Sequence, residues 1–128
     1  MSEPRWLSRK AVDAMHFDLL RAFGGQQGVR DDGAIESALA RPRNKAAYEE
    51  PSLFDLAAAY TFGLAKNHGY TDGNKRVALA AGATFLHANG IDFIVDEQEA
   101  VVAIHSLCED EIDEPTLAAW FRENSAPR

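Results

Sequence analysis

The segment His68-Gly69-Tyr70-Thr71-Asp72-Gly73-Asn74-Lys75-Arg76 brings together His68, Asp72, Asn74, Lys75 and Arg76 between two strongly apolar stretches. Packing alone gives no reason for such a cluster, because polar groups without partners are costly to bury. A helix starting near Gly73 or Asn74 would offer unpaired backbone N–H groups and the positive end of its dipole, which together bind anions. Gly73 lets a phosphate approach the backbone closely. Lys75 and Arg76 place two cations where the dipole disfavours them, a conflict that a bound anion removes. Arg76 can fork onto phosphate oxygens, whereas Lys75 acts as a point charge. Asp72 has two readings: it holds Mg2+ beside phosphates, or it caps the following helix. His68 also has two: it is a general base that takes a proton from a hydroxyl, or a structural histidine at a helix end. The chemistry these residues share is transfer of a phosphate-containing group.

The elements that would position this loop are helices. Ser8 suits the N-cap of a first helix carrying Val12, Met15, Leu19, Leu20 and Phe23 at helical spacing, stopped by Gly24-Gly25. A second, shorter helix starts at Asp31-Asp32, carries Ile35, Ala38 and Leu39, and is ended by Pro42. Arg41 to Pro51 then reads as an irregular connection. Ser52 and Asp55 form a capping pair for a third helix running to about Asn67. The fourth helix leaves the loop and ends at Gly90. Ile91 to Val95 is the one extended stretch, a short β flap. Two more helices follow, at about Asp96 to Cys108 and Pro115 to Asn124, the latter with proline in its first turn. The expected architecture is all-α: a compact bundle of about six helices forming one domain over residues 1–128, with its core at about 5–124.

The chain has 128 residues, 46% of them hydrophobic, enough for a core without disulfides or metals. A single cysteine, Cys108, excludes an internal disulfide and fits a reducing cytoplasm. The start at Met1-Ser2-Glu3-Pro4-Arg5-Trp6 has no apolar run behind it that would make a signal peptide, and no stretch reaches the length of a membrane span. The net charge of -7 argues against a non-specific nucleic-acid binder. The acidic run Glu109 to Glu114 reads as a solvated turn between helices.

The loop resembles the His-x-Phe-x-Asp-Gly-Asn-x-Arg signature of the Fic/Doc families, matching at His68, Asp72, Gly73, Asn74 and Arg76. Tyr70 replaces the usual Phe. Gly69 stands where many members have Pro, which should loosen the loop. The likeness extends to Phe23-Gly24-Gly25, Val29-Arg30-Asp31, Glu36 to Pro42, Tyr60 to Ala65 and Phe85 to Gly90. Members that transfer AMP typically have glycine where this chain has Lys75, so the resemblance is to the Doc branch. It implies a six-helix Fic fold and a toxin of a toxin–antitoxin system. It also implies transfer of the γ-phosphate of ATP to a protein hydroxyl, elongation factor Tu being the family's known type of target. It further implies inhibition by a Phd-type antitoxin supplied in trans. The internal Ser/Thr-x-x-x-Glu inhibitory pattern is absent, since Ser37, Thr84, Ser106 and Thr116 are followed four residues on by Arg41, Ala88, Asp110 and Trp120. On this reading His68, Asp72 and Lys75 are catalytic, Gly73, Asn74, Lys75 and Arg76 bind phosphate, and Asp72 holds Mg2+. AMP transfer and a catalytically silent binding module are the alternatives.

Other residues carry weaker signals. His16, His87 and His105 lack metal-ligand spacing with Cys108 and read as structural or surface groups. Arg30-Asp31 is either a helix-start ion pair or part of a target-binding edge. Arg41, Arg43 and Lys45 form a solvated loop, or dock an acidic target or nucleotide tail. Trp120 reads as a packing anchor.

Overall fold

The computed structural model describes residues 3–128, so the reading of the chain start at Met1-Ser2 lies outside the described residues. The order of elements is α1 (Arg9–Phe23), α2 (Asp32–Tyr48), α3 (Leu53–Asn67), α4 (Asn74–Ala88), β1 (Ile91–Phe93), α5 (Glu97–Cys108), α6 (Glu114–Glu123) and β2 (Ser125–Pro127). The fold is therefore an all-α bundle with a small β flap, as expected from the sequence.

Local chemistry accounts for most of the boundaries. The Ser8 side chain accepts from Ala11 N at 3.0 Å and starts α1, which Gly24 ends. Asp31 accepts from Ala34 N at 3.1 Å and starts α2. Ser52 and Asp55 close a reciprocal capping box on α3, with bonds of 2.9 and 3.1 Å. Asp113 caps α6 through Thr116 N at 2.9 Å.

The second helix departs from expectation. Pro42 does not end it; α2 continues to Tyr48 and absorbs most of the segment expected to be irregular. Proline removes one hydrogen bond of the helix, the one to Ala38, without forbidding the turns on either side. Tertiary packing overrides the local signal here. Pro42 is buried, and α3 comes so close that a Cβ on Gly63 would lie 3.1 Å from Ala38 Cα. Lys45 and Glu49 add an i,i+4 ion pair at 3.7 Å beyond the proline. Arg41 and Lys45 both reach Glu114, so this basic stretch is committed largely to α6.

The most buried helix is α3, which packs chiefly on α4, then on α2 and α6. Tyr60, Phe85 and Phe121 are fully buried at its faces, and burying a side chain of this kind contributes about 1.5–3 kcal/mol. Thr61 Oγ1 donates to Ala78 O at 2.7 Å, tying α3 to α4 across a surface made mostly of alanine. Close contact between these two helices matters for function, because the polar loop joins them. The second strand, β2, was not expected. It pairs antiparallel with β1, Ile91 opposite Pro127 and Phe93 opposite Ser125. Phe93 is held edge-on to Trp120 and Phe121 at 5.2 and 5.0 Å, which makes Trp120 a packing residue.

Candidate active site

The chain turns out of α3 at His68, in the left-handed region with φ 50 and ψ 47. It enters α4 through Gly73, also left-handed at φ 75. A side chain at Gly73 would be strained by that conformation, and its Cβ would lie 2.6 Å from Leu20 Cδ2. No side chain caps α4, and its first turn contains no acid. The N–H groups of that turn are therefore free to face an anion.

Inside the loop, Asn74 grips Tyr70 twice. Its Oδ1 accepts from Tyr70 N and its Nδ2 donates to Tyr70 O, both at 3.0 Å. The Asn74 amide thus closes the loop and is occupied in doing so. Tyr70 is buried, and its ring stacks on His16 with centroids 3.8 Å apart. Its hydroxyl donates to Asp13 at 2.5 Å, a bond that the usual Phe could not make. Burial, reinforced by Asp13, raises the Tyr70 phenol well above its ordinary pKa, so it stays a donor. Asp13 in turn pairs with Arg9 at 3.0 Å, and Arg9 with Asp32 at 2.7 Å, linking α1 to the start of α2 beneath the loop.

The residues between α1 and α2 lie along the loop as a strap. Thr71 N donates to Gly28 O at 3.0 Å, and Arg30 N and Asp31 N both donate to Gly69 O at 2.9 Å. Val29 and Tyr70 form an antiparallel bridge. Gly69 lies close against the start of α2. A Cβ there would lie 3.0 Å from Ile35 N, so glycine allows the loop to press against α2. Arg30 also donates from Nε and a terminal nitrogen to His68 O, at 2.9 and 2.6 Å. His16 donates from Nε2 to Asp72 O at 2.7 Å.

Asp72 does not cap α4. Its Oδ1 accepts from Gly73 N at 2.8 Å and its Oδ2 from Gln26 N at 3.2 Å, one bond within the loop and one to the strap. These two N–H groups, Gln26 first, lower the Asp72 carboxyl below its ordinary pKa, and Arg76 and His16 add smaller effects of the same sign. A depressed value in the fold means that the bond to the strap is present above the ordinary carboxylate range and is lost only as pH falls through the lowered value. A carbon-13 titration of the side-chain carboxyl should therefore place its midpoint below the reference value of about 3.9. A midpoint at or above that value would contradict the geometry.

His68, Thr71, Asp72, Gly73, Asn74, Lys75 and Arg76 of the loop line one cleft of about 720 Å³ together with Phe23, Gly24 and Gly25. The structure thus brings together the loop residues to which the sequence assigns catalytic, phosphate-binding and metal roles. Arg76 is steadied by Gly24 O at 3.2 Å and lies 5.4 Å from the centre of the Phe23 ring. Lys75 is exposed and takes part in no ion pair among the described residues. The Asp72 carboxylate can still accept further contacts, because each oxygen spends only one of its lone pairs on an N–H. Asp72 would be the residue to hold a Mg2+ ion, one carboxylate being within what that ion takes from a protein beside bound phosphates. His16 and Gln26 went unrecognised as parts of the site, and Arg30, read as a helix-start ion pair or part of a target-binding edge, donates instead to His68 O. The sequence signals near the strap were the turn-forming Gly24-Gly25 and Gly28 and the segment Val29-Arg30-Asp31. His87 and His105 lie exposed elsewhere.

Comparison with known proteins follows the same residues. A family model described as Fic/DOC family matches residues 6–86, from the start of α1 through the loop and into α4. The chain is 50% identical over 86 residues to Toxin Doc of Mycolicibacterium smegmatis, a match covering 61% of this chain and 65% of that protein. It is 31% identical over 119 residues to Protein kinase doc of Escherichia phage P1, covering 92% of this chain and 94% of that one. A family model across more than half of the chain, and a relative matched along nearly all of it, agree with the loop geometry: this chain belongs to the Fic/DOC family, in its Doc branch.

Proposed function

We propose that the chain is a Doc-type toxin that transfers the γ-phosphate of ATP to a Ser or Thr hydroxyl of a protein, with elongation factor Tu as the candidate acceptor. The observation that carries this reading is Lys75, an exposed cation at the uncapped start of α4 in the same cleft as His68. The name of the phage relative, Protein kinase doc, supports it. We read the chain as a single domain of this kind, with its core from about residue 5 to 124.

In this reading His68 takes the proton from the acceptor hydroxyl as its oxygen bonds to the γ-phosphorus. The bond from that phosphorus to the β–γ bridging oxygen breaks, and ADP leaves with the electron pair. Lys75, Arg76 and the N–H groups at the start of α4 hold the phosphate oxygens and stabilise the charge that builds on them. Asn74 keeps the loop closed by holding Tyr70. Asp72 is the residue that would hold Mg2+, whose chemistry is to neutralise phosphate charge. Most of the acceleration then comes from positioning and electrostatics.

Inhibition by a Phd-like antitoxin in trans completes the proposal, since the chain lacks the internal inhibitory pattern. An apolar groove of about 710 Å³ adjoins the cleft, shares Phe23, Lys75 and Arg76 with it and exposes Ile94 and Val101. A separate chain lying there would cover the cations from one side. No helix among the described residues is long and apolar enough to cross a membrane.

The deciding experiment uses ATP labelled separately at the α and γ phosphates, with elongation factor Tu as acceptor. Phosphate transfer leaves label on the protein only from the γ position. Label retained only from the α position would replace this reading with AMP transfer.

A further inference from the structure

We propose that Arg30 is a positioning residue for the general base: its guanidinium fixes the left-handed backbone of His68 and so aims the imidazole into the cleft. The inference deepens the phosphotransfer reading and rests on it for its kinetic arm. Among the described residues only His68 and Asp110 adopt a positive φ without being glycine. Side chains other than glycine disfavour that region, so something outside the residue must hold it there.

The structure shows what does. Arg30 donates from two nitrogens to one oxygen, His68 O, at 2.9 and 2.6 Å. The next carbonyl, Gly69 O, accepts from Arg30 N and Asp31 N at 2.9 Å each. Two successive carbonyls leaving α3 are thus captured by one residue and its neighbour. The end of a helix has unpaired carbonyls and a negative dipole end, so a cation is favoured there. The planar fork of arginine brings two N–H groups to one acceptor, which a lysine ammonium cannot do with the same fixed geometry.

The division of labour can be read from which atoms do what. The strap's backbone bonds at Gly69 and Thr71 place the loop as a whole and do not involve the Arg30 side chain. That side chain acts on the peptide unit of His68 itself, where a change in ψ swings the imidazole. Arg30 does not line the cleft, so its side chain holds His68 from behind the catalytic face. This separates it from Arg76, which lines the cleft.

The test uses the full chain with Arg30→Gln and Arg30→Lys. Backbone coupling constants and carbon-13 shifts of His68, measured in labelled protein, report its φ without any turnover. Transfer from γ-labelled ATP to elongation factor Tu gives kcat and KM, and thermal unfolding reports the fold. In Arg30→Gln the His68 signals should leave their left-handed values, and kcat should fall about 100-fold, the scale of a misplaced catalytic group. KM for ATP and for the acceptor should stay unchanged. Arg30→Lys should recover part of both effects. Unchanged His68 signals with unchanged kcat overturn the proposal, even if the unfolding temperature drops, because Arg30 then only stabilises. A raised KM for the acceptor at constant kcat also overturns it, and makes Arg30 a target contact. If the wild-type chain transfers no label, the phosphotransfer reading fails, and the His68 signals still decide what Arg30 does.

Discussion

Replacing His68 by glycine is expected to abolish transfer and growth inhibition while leaving the chain folded at least as firmly as before. The two effects pull apart because His68 has two attributes, a ring in the cleft and a left-handed backbone with φ 50. Removing a general base costs about 10²–10⁴ in rate, or about 3–5 kcal/mol of barrier. The backbone, by contrast, gains. Glycine adopts positive φ without strain, and the Arg30 bonds end on a carbonyl that glycine retains. His68→Ala removes the ring but keeps the strain, so it should be as inactive and somewhat less stable than His68→Gly. The measurements are label transfer from γ-labelled ATP, colony formation on expression, and urea unfolding of both variants. Growth inhibition that persists in His68→Gly would make the chain a binding module whose toxicity owes nothing to catalysis.

Lys75 should show the second largest effect. It stands at the open start of α4 without an ionic partner among the described residues, so its charge is available to the substrate. Two properties of the side chain bear on the outcome: charge and bulk. Lys75→Met keeps most of the bulk and removes the charge. Lys75→Gly removes both. Losing one preorganised contact to developing charge costs about 10²–10³ in kcat, and both variants should lose γ-transfer by that order. Only Lys75→Gly opens space beside the loop, so only that variant could begin to place label from the α position on the acceptor. Normal γ-transfer by Lys75→Met would refute the electrostatic role and leave bulk as the reason for lysine. The contrast is informative because Arg76 remains in place in both variants, steadied by Gly24 O and by Phe23.

The loop could be read from the sequence because its chemistry is contiguous. His68 to Arg76 are neighbours in the chain, and the elements on either side announce themselves through Ser52, Asp55 and Gly90. The same holds for α1 and α6, whose caps lie beside them. What stayed hidden is held together at long range. The bond from Arg30 to His68 spans 38 positions, and that from His16 to Asp72 spans 56. Neither residue type predicts a partner at such a distance. His16 reads as an ordinary buried histidine until its ring is found against Tyr70. The second half of α2 was masked by Pro42, whose local rule was overridden by packing against α3. The strand β2 is Ser-Ala-Pro, which has no alternation to detect and exists because β1 supplies its partner.

The strap has a consequence for how such proteins can change over generations. It meets the loop chiefly through main-chain atoms: the carbonyl of Gly28 and the N–H groups of Gln26, Arg30 and Asp31. Any residue but proline supplies such N–H groups. The side chains of Gln26 and Val29 are exposed and can be exchanged without disturbing the bonds that hold the loop. Arg30 is the exception, because its side chain is part of the grip. The outward side chains of Gln26 and Val29 are therefore free to vary while the main-chain bonds that hold the loop stay the same. The outer face of the strap and its grip on the loop are separately heritable.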